Sequence, residues 1–239
     1  VVLVMNSRKP GLEETEVRQA VFRAIDPWDY LDTVWSGEGF TSVGIPVREP
    51  DWLLSRSDMR QNFFADPGKA RKLLLNSGQT LPVDLEITVR TEPNGYHNLA
   101  LEEKLIADLT DVGFNPELRR MNPAQFSELV IGPMKDFQLA VGAIPPTSTT
   151  NRFLFGLLHS EGQLNLSGHN DSQLDSMIEA QAVEFNETDR RDQLVDIQQR
   201  ILEQAYLFSP VTNASRWVFN KDLKGFVPNT ALSEYNFWS

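Results

Sequence analysis

The chain has 239 residues and a formal net charge of −11, from 33 Asp and Glu against 22 Lys and Arg. Its 41% hydrophobic and 23% charged residues are typical of a globular protein and exclude disordered and collagen-like chains. The acidic balance argues against nucleic-acid binding, because such proteins neutralise phosphates with Lys and Arg. With no cysteine, disulfides, Cys-ligated zinc and thiol catalysis are excluded. No apolar stretch approaches the ~20 residues that cross a bilayer.

The first third of the chain predicts a strand and two helices. The apolar run at residues 1–5 indicates a strand. Residues 15–25 carry apolar side chains at helical spacing, and this helix is expected to end before Pro27. Glycine and proline make residues 36–52 irregular. Residues 66–78 predict a second helix, with Asp-Pro at its start and Gly at its end.

The middle of the chain alternates between the two kinds of element. Strict apolar–polar alternation over residues 83–89 predicts a strand, followed by a helix that ends at Gly113. Residues 114–119 form a second strand, a helix begins at Asn122, and residues 137–141 form a third strand. This order predicts an α/β sheet.

The last third begins with a loop rich in proline and hydroxyl side chains at residues 143–151. A helix follows over 174–185, and its apolar face is expected to include Phe185. A second helix, capped by an Asn, comes next. Residues 207–212 and 217–219 predict strands.

Catalytic and metal-binding signatures are missing. The Gly-rich stretch 37–44 has neither the G-x-S-x-G pattern nor the Lys of a phosphate-binding loop, so it is interpreted as a surface loop. His97, His159 and His169 form no helical ligand pair. The last two could meet on a metal, but solvated loop residues are the favoured interpretation. Residues 170–171 lack the calcium-loop spacing and are interpreted as a helix cap. We therefore expect no catalytic residue, no metal and no cofactor.

A series of short motifs occurs in a characteristic order along most of the chain. They are Asn6; Val17-Arg18-Gln19-Ala20-Val21 with Ala24-Ile25-Asp26; Gly37 and Gly39 to Pro46; Asp66-Pro67, Lys69-Ala70-Arg71 and Leu73-Leu74, ending at Gly78; Leu109 with Val112-Gly113-Phe114; Asn170, Leu174-Asp175 and Met177-Ile178; and Arg191 with Ile197-Gln198 and Ile201-Leu202. In this order the chain resembles family 5 of the extracellular solute-binding proteins of ABC importers, which take up peptides, nickel and some oligosaccharides.

The resemblance implies a mixed sheet flanked by helices, as in the second lobe of a type II periplasmic-binding-protein-like fold. Residues 1–212 would be the C-terminal ligand-binding lobe. Residues 213–239 would be a return segment that completes an N-terminal lobe, so we expect the chain to be a piece of a longer protein. Such a protein is extracytoplasmic, either periplasmic or lipid-anchored at the cell surface. It closes on a small solute by a hinge motion and delivers it to ABC permease subunits, with no bond made or broken.

Ligands of α/β sheets bind beyond the carboxyl ends of the strands, which places the candidate cleft in two segments. These are a helix start after the first strand of the middle region and the loop after the third, and the Gly-rich loop is expected to join them. The candidate ligand-binding residues, in that order, are Tyr96, His97 and Asn98; Ala143, Ile144, Thr147, Ser148 and Thr149; and Gly37 and Phe40.

The loop at residues 143–151 also predicts the kind of solute. Peptide-binding members of the resembled family typically place an Asp there, which pairs with the amino terminus of the peptide. This chain has neither Asp nor Glu in that stretch, and residues 96–100 lack an Arg for a carboxylate. We therefore expect an oligosaccharide, or a longer peptide that is not held by its amino-terminal charge.

Two other classes of function stay open at this point. A hydrolase or transferase of unrecognised type would need an acid, a base or a nucleophile at a diagnostic spacing, and the sequence offers none. A domain that acts chiefly by contacting a receptor or a permease overlaps with the importer interpretation. Permease and ATPase genes beside this one would favour transport.

Residues 213–239 generate the first testable expectation, because they include Trp217, Phe219, Phe226 and Trp238. Without a first lobe to cover them, these side chains would form an exposed apolar patch. We expect the segment to fold back on the lobe or to drive self-association of the chain. Sedimentation and hydrogen exchange measure both; a monomer with a fully exchanging segment would contradict the expectation.

Overall fold

The computed structural model of the chain describes residues 1–91, 99–144, 147 and 149–212. Within these residues, six strands form one sheet: β1 Val2–Met5, β2 Phe40–Ser42, β3 Val83–Arg90, β4 Phe114–Met121, β5 Leu139–Gly142 and β6 Leu207–Thr212. Their order is β2-β6-β1-β5-β3-β4. β3 pairs in parallel with β4 and β5, whereas β1 is antiparallel to β5 and β6, and β2 to β6. The mixed sheet confirms the predicted α/β class.

Helices flank this sheet. They are α1 Thr15–Ala24, α2 Pro27–Val34, α3 Arg56–Asn62, α4 Pro67–Asn76, α5 Leu99–Val112, α6 Pro123–Phe126, α7 Thr150–Phe153, α8 Ser172–Ala182 and α9 Glu187–Glu203. Single π-helical turns, Ser127–Ile131 and Leu154–Leu158, extend α6 and α7. No helix in the described part of the chain is long and apolar enough to cross a membrane.

Side-chain caps explain why the predicted helices begin where they do. The carboxylate of Asp66 accepts a hydrogen bond from the backbone N–H of Lys69 at the start of α4. Asn122 and Gln125 form a reciprocal capping box on α6, and Asn186 caps α9. Each cap satisfies a backbone N–H that has no partner inside its helix.

Several elements differ from the sequence-based expectation. The Asp-Pro pair that ends α1 also begins α2, because Asp26 accepts from the N–H groups of Trp28 and Asp29. α3 and α7 were not predicted, β2 lies inside the stretch expected to be irregular, and β5 begins at Leu139 rather than at residue 137. The expected strand at 217–219 lies outside the described residues.

The prediction that Phe185 is buried was wrong. Its side chain is 98% exposed, because α8 ends at Ala182 and the helical spacing that would turn residue 185 inward stops three residues earlier. Leu174 and Ile178, which lie inside the helix, are fully buried as expected.

A cluster of aromatic rings forms the centre of the core beside α1. The ring of Phe22 lies 5.3 Å from that of Phe64 and 4.9 Å from that of Phe208, centre to centre. Phe64 and Phe208 are 4.8 Å apart, and each of the three is 1% exposed. Because these residues lie in α1, just before α4 and in β6, the cluster joins two helices to the sheet.

The strand directions give the sheet two distinct edges. β3, β4, β5 and β6 all end on one side, where β1 and β2 begin, since Val2 faces Gly142 and Phe40 faces Thr212. We call this side the carboxyl edge. The opposite side, where β1 ends at Met5 and β5 begins, is the amino edge.

Replacing Phe208 tests the aromatic cluster. Phe208→Ala leaves a cavity between α1 and β6, so the free energy of unfolding should fall by about 3–5 kcal/mol. Phe185→Ala is the matched control, and it should change stability by no more than ~0.5 kcal/mol because Phe185 is exposed. Denaturant unfolding measures both; equal losses would contradict this role of Phe208.

Candidate functional site

The carboxyl edge carries candidate residues from two of the three predicted segments, next to β5 and β2, which are separated by β1 and β6. Ala143 and Ile144 directly follow β5, and Phe40 begins β2 opposite the end of β6. Gly37 lies in the turn before Phe40, with a φ of 74° that a glycine adopts without strain. Phe40 is 41% exposed, so an apolar ring is available to a ligand at this edge.

The described part of the loop after β5 is held by its own side chains. Thr149 caps α7 by accepting from the N–H of Arg152 at 3.2 Å. The hydroxyl of Thr150 donates to the carbonyl of Pro46 at 2.5 Å, which joins the loop to the segment after β2. Asn151 accepts from Gln181 at 2.9 Å. The Thr150 hydroxyl proton is therefore already used, whereas the Thr149 hydroxyl accepts and keeps its proton to donate.

The remaining candidates fall in two groups. Thr147 is described and half-buried, between β5 and α7. Tyr96, His97, Asn98 and Ser148 lie outside the described residues, so their placement in the cleft stays a prediction. The helix they were expected to open is present as α5 from Leu99 onward.

Arg90, which the sequence analysis did not select, also lies at the carboxyl edge. It is the last residue of β3, and its Nη1 is 3.5 Å from the carbonyl oxygen of Ala143. Its guanidinium lies 6.0 Å from the ring centre of Phe126. The signal in the sequence was a cation that ends an alternating strand just before a loop.

Gly142 allows this arrangement because it has no side chain. A Cβ at this position would lie 2.8 Å from the ring of Phe126 and 3.2 Å from the Cβ of Arg90. The backbone at the end of β5 can therefore approach both residues only if position 142 is glycine. This contact fixes where Ala143 and the loop after it begin.

The expectation that His169 is solvated in a loop was wrong. Its side chain is buried: Nε2–H donates to the carbonyl of Leu158 at 2.7 Å, and Nδ1 accepts from the Ser167 hydroxyl at 2.5 Å. The imidazole stacks on the ring of Tyr206, 4.1 Å away. Burial lowers the pKa of His169, which favours the neutral form of the ring. In the described ranges, no group of three His, Asp or Glu is arranged to hold a metal ion.

Residues 170–171 were predicted to cap a helix, and Asp171 does so at the start of α8. Its carboxylate accepts a hydrogen bond from the backbone N–H of Leu174 at 3.1 Å. It also accepts from Arg200 at 3.0 Å and from the hydroxyl of Tyr206 at 3.1 Å. Burial alone would raise the pKa of Asp171, but the bonds from Arg200, Leu174 and Tyr206 hold it below its ordinary value. These contacts join α8, α9 and the start of β6, which is a structural role.

The Ser167–His169 pair has the contact that a serine nucleophile needs, but it is not accessible. Ser167 is 0% exposed, and no substrate carbonyl can reach its Oγ without local unfolding. Within the described residues this pair therefore gives no support to the hydrolase alternative.

Position 142 yields a test of the carboxyl edge. Gly142→Ala should lower the free energy of unfolding by about 1–3 kcal/mol, because the new methyl group overpacks against Phe126 and Arg90. Gly156→Ala is the control, since a Cβ there has no neighbour within 4 Å, and it should cost no more than ~0.5 kcal/mol. Thermal or denaturant unfolding compares the two variants. Equal costs would show that Gly142 does not constrain this edge.

The chain is similar in sequence to known solute-binding proteins. The family model of bacterial extracellular solute-binding proteins, family 5 Middle, matches residues 1–165. A probable di/tripeptide-binding protein 5 of Pseudomonas aeruginosa is 25% identical over 95% of this chain and 43% of its own length. Heme-binding protein A of Haemophilus influenzae is 23% identical over 94% of this chain and 41% of its own length.

The fold is also that of solved solute-binding proteins. The ABC transporter substrate-binding protein CtaP of Listeria monocytogenes superposes with a TM-score of 0.73 at 20% identity, over 86% of this chain and 42% of its own. The chain spans about two fifths of the length of the curated relatives it matches. The sheet is that of a type II periplasmic-binding-protein-like fold, and the chain belongs to family 5 of the bacterial extracellular solute-binding proteins.

Proposed function

We propose that the chain is the ligand-binding lobe of an extracytoplasmic protein that captures a solute and delivers it to the permease of an ABC importer. The observation that supports this proposal is the carboxyl edge, where β3 and β5 end and β2 begins after a turn, in a chain of this family. β1 begins and β6 ends at the same edge, so residues 213–239 continue from the side on which a second lobe would close. In this proposal, residues 1–212 form the lobe and residues 213–239 return to its partner.

Solute capture in this proposal needs no chemistry on the solute. Ala143 and Ile144 present backbone groups, Thr149 presents a hydroxyl proton, and Phe40 presents an apolar ring. A second lobe that closes over these groups would exclude water from the hydrogen bonds and so strengthen them. The hinge motion, rather than a reaction, is what the permease would sense.

The solute that fits this edge is an oligopeptide held along its backbone and not by its amino-terminal charge. The stretch 143–151 contains no carboxylate, and the Arg90 guanidinium lies beside Ala143. A desolvated ammonium group would therefore lack a carboxylate partner in this loop. The similarity to a probable di/tripeptide-binding protein supports a peptide as the solute class. An oligosaccharide has the same neutral hydrogen-bonding pattern.

Peptide titrations on the whole protein that contains this chain test the solute class. We expect longer peptides to bind, and N-acetylation of their amino termini to change affinity by less than about threefold. Loss of a charge-assisted hydrogen bond would instead weaken binding by roughly 10- to 100-fold. Calorimetry measures the affinities, and thermal shift screens peptides, oligosaccharides and haem in parallel.

Glu38 supplies a control at the same edge, because it is a carboxylate in the turn before β2. Glu38→Gln should leave peptide affinity unchanged. If N-acetylation weakens binding about tenfold or more, recognition depends on the amino-terminal charge and the solute proposal is wrong. A matching loss in Glu38→Gln would identify Glu38 as the partner of that charge. Binding of haem but of neither peptides nor oligosaccharides would overturn the solute class while leaving the transport role in place.

A further inference from the structure

A second groove lies at the amino edge, on the opposite side of the sheet from the candidate cleft. Its volume is about 440 Å³. We call it the amino-edge groove and define it by Asn6, Arg8, Lys9, Lys135, Ser160 and Asn165, which are among its lining residues. Because Asn6 follows β1 and Lys135 precedes β5, the groove is built on the two strand ends farthest from Ala143.

Asn6 connects the two cationic residues of this groove. Its side chain is 2% exposed; Oδ1 accepts from the backbone N–H of Arg8 at 3.1 Å, and Nδ2 donates to the carbonyl of Lys135 at 2.9 Å. Lys135 has a φ of 47°, a conformation uncommon for a residue with a side chain. One buried amide therefore fixes the backbone from which both cations extend.

The charges of Arg8 and Lys135 are not matched by carboxylates. The Nε of Arg8 donates to the carbonyl of Gly168 at 2.5 Å, and the Nζ of Lys135 donates to that of Ile131 at 2.9 Å. In the part of the chain that the structure describes, neither side chain forms an ion pair. Burial lowers the pKa of Lys135, with no neighbouring anion to raise it.

Asp136, the carboxylate that follows Lys135 in the chain, is already paired with two other cations. Asp136 accepts from Lys9 at 3.0 Å and from Arg119 at 3.2 Å, and these two cations hold its pKa below the ordinary range. Two unpaired cations thus remain in a chain that carries 33 Asp and Glu residues. Both residues line the same groove, and a bound anion would lower the Coulomb energy of holding their charges there.

We propose that the amino-edge groove binds a phosphate-type oxyanion. The Nη atoms of Arg8 have no protein partner in the described structure and can bind two oxygens of one phosphate, while Lys135 supplies a point charge. Ser160 also lines the groove, and its hydroxyl accepts from the N–H of Asp171 and so keeps its proton to donate. The side chain of Asn165 is used within the protein, because its Nδ2 donates to the carbonyls of Ser160 and His169. The oxyanion is either a free phosphate group or the headgroup of an anionic lipid, since Pro133 and Met134 leave an exposed rim beside Lys135.

Inorganic phosphate and lipid vesicles separate the two sources. The whole protein that contains this chain is titrated with inorganic phosphate at low ionic strength, followed by calorimetry and by NMR shifts of this chain. We expect saturable binding, with the largest shifts at Asn6, Arg8 and Lys135. Sedimentation with phosphatidylglycerol vesicles, against phosphatidylcholine vesicles, tests the headgroup. Phosphate binding without sedimentation identifies a free oxyanion, and both together identify the headgroup.

Variants that remove the charges of the groove test whether phosphate binds there. Arg8→Gln with Lys135→Gln should weaken phosphate binding at least about tenfold, because both charge-assisted contacts are lost. Arg71→Gln with Lys72→Gln removes the same charge from exposed positions of α4 and should have no effect. If the double variant does not fold, Arg8→Gln alone, at an exposed side chain, should still weaken binding. No saturable binding by the unaltered protein, or equal loss in the Arg71 and Lys72 control, overturns the proposal.

Discussion

The pairing of β1 between β5 and β6 is the constraint on which the rest of the structure depends. β1 has four residues, all buried, and it is antiparallel to both neighbours. A strand from the start of the chain therefore joins the β3–β4–β5 unit to a strand from residues 207–212. Because β5 and β6 lie on either side of β1 and run in the same direction, their carboxyl ends lie on the same side of the sheet. The loops that could hold a solute and the groove that could hold an oxyanion are consequently separated by the length of the sheet.

Local signals predicted the elements whose ends are marked by side chains. Helices begin where cap residues indicated, at Asp66, Asn122 and Asn186. The apolar–polar alternation over residues 83–89 coincides with β3. α2 was missed because Asp26 and Pro27 serve as the end of one helix and the start of the next. The strand order could not be predicted from the residues, since it depends on contacts between segments some 200 positions apart, such as Leu3 with Phe208.

The edge of the sheet on which a candidate residue lies could be predicted from the sequence, whereas its contacts could not. The rule that ligands bind beyond the carboxyl ends of strands selected Ala143, which directly follows β5, without any knowledge of the strand order. Arg90 and Gly142 were missed because their importance comes from the ring of Phe126, which lies in a different element. His169 was misjudged for a similar reason: the partner that covers it, Tyr206, is 37 residues away in the sequence. Burial of a polar side chain is decided by what packs on it, and residue type alone does not reveal that.

The two outermost strands have a consequence for how the chain behaves among its copies. In the described ranges β4 pairs with β3 alone, and it carries Pro116 near its middle and Glu117, Arg119 and Arg120 beyond it. Proline has no N–H to give to an arriving strand, and the charged side chains would have to be desolvated by one. At the other side, β2 is only three residues long. The described sheet is thus protected against growth by strand addition, so that copies of the chain at high concentration would resist fibrillar aggregation.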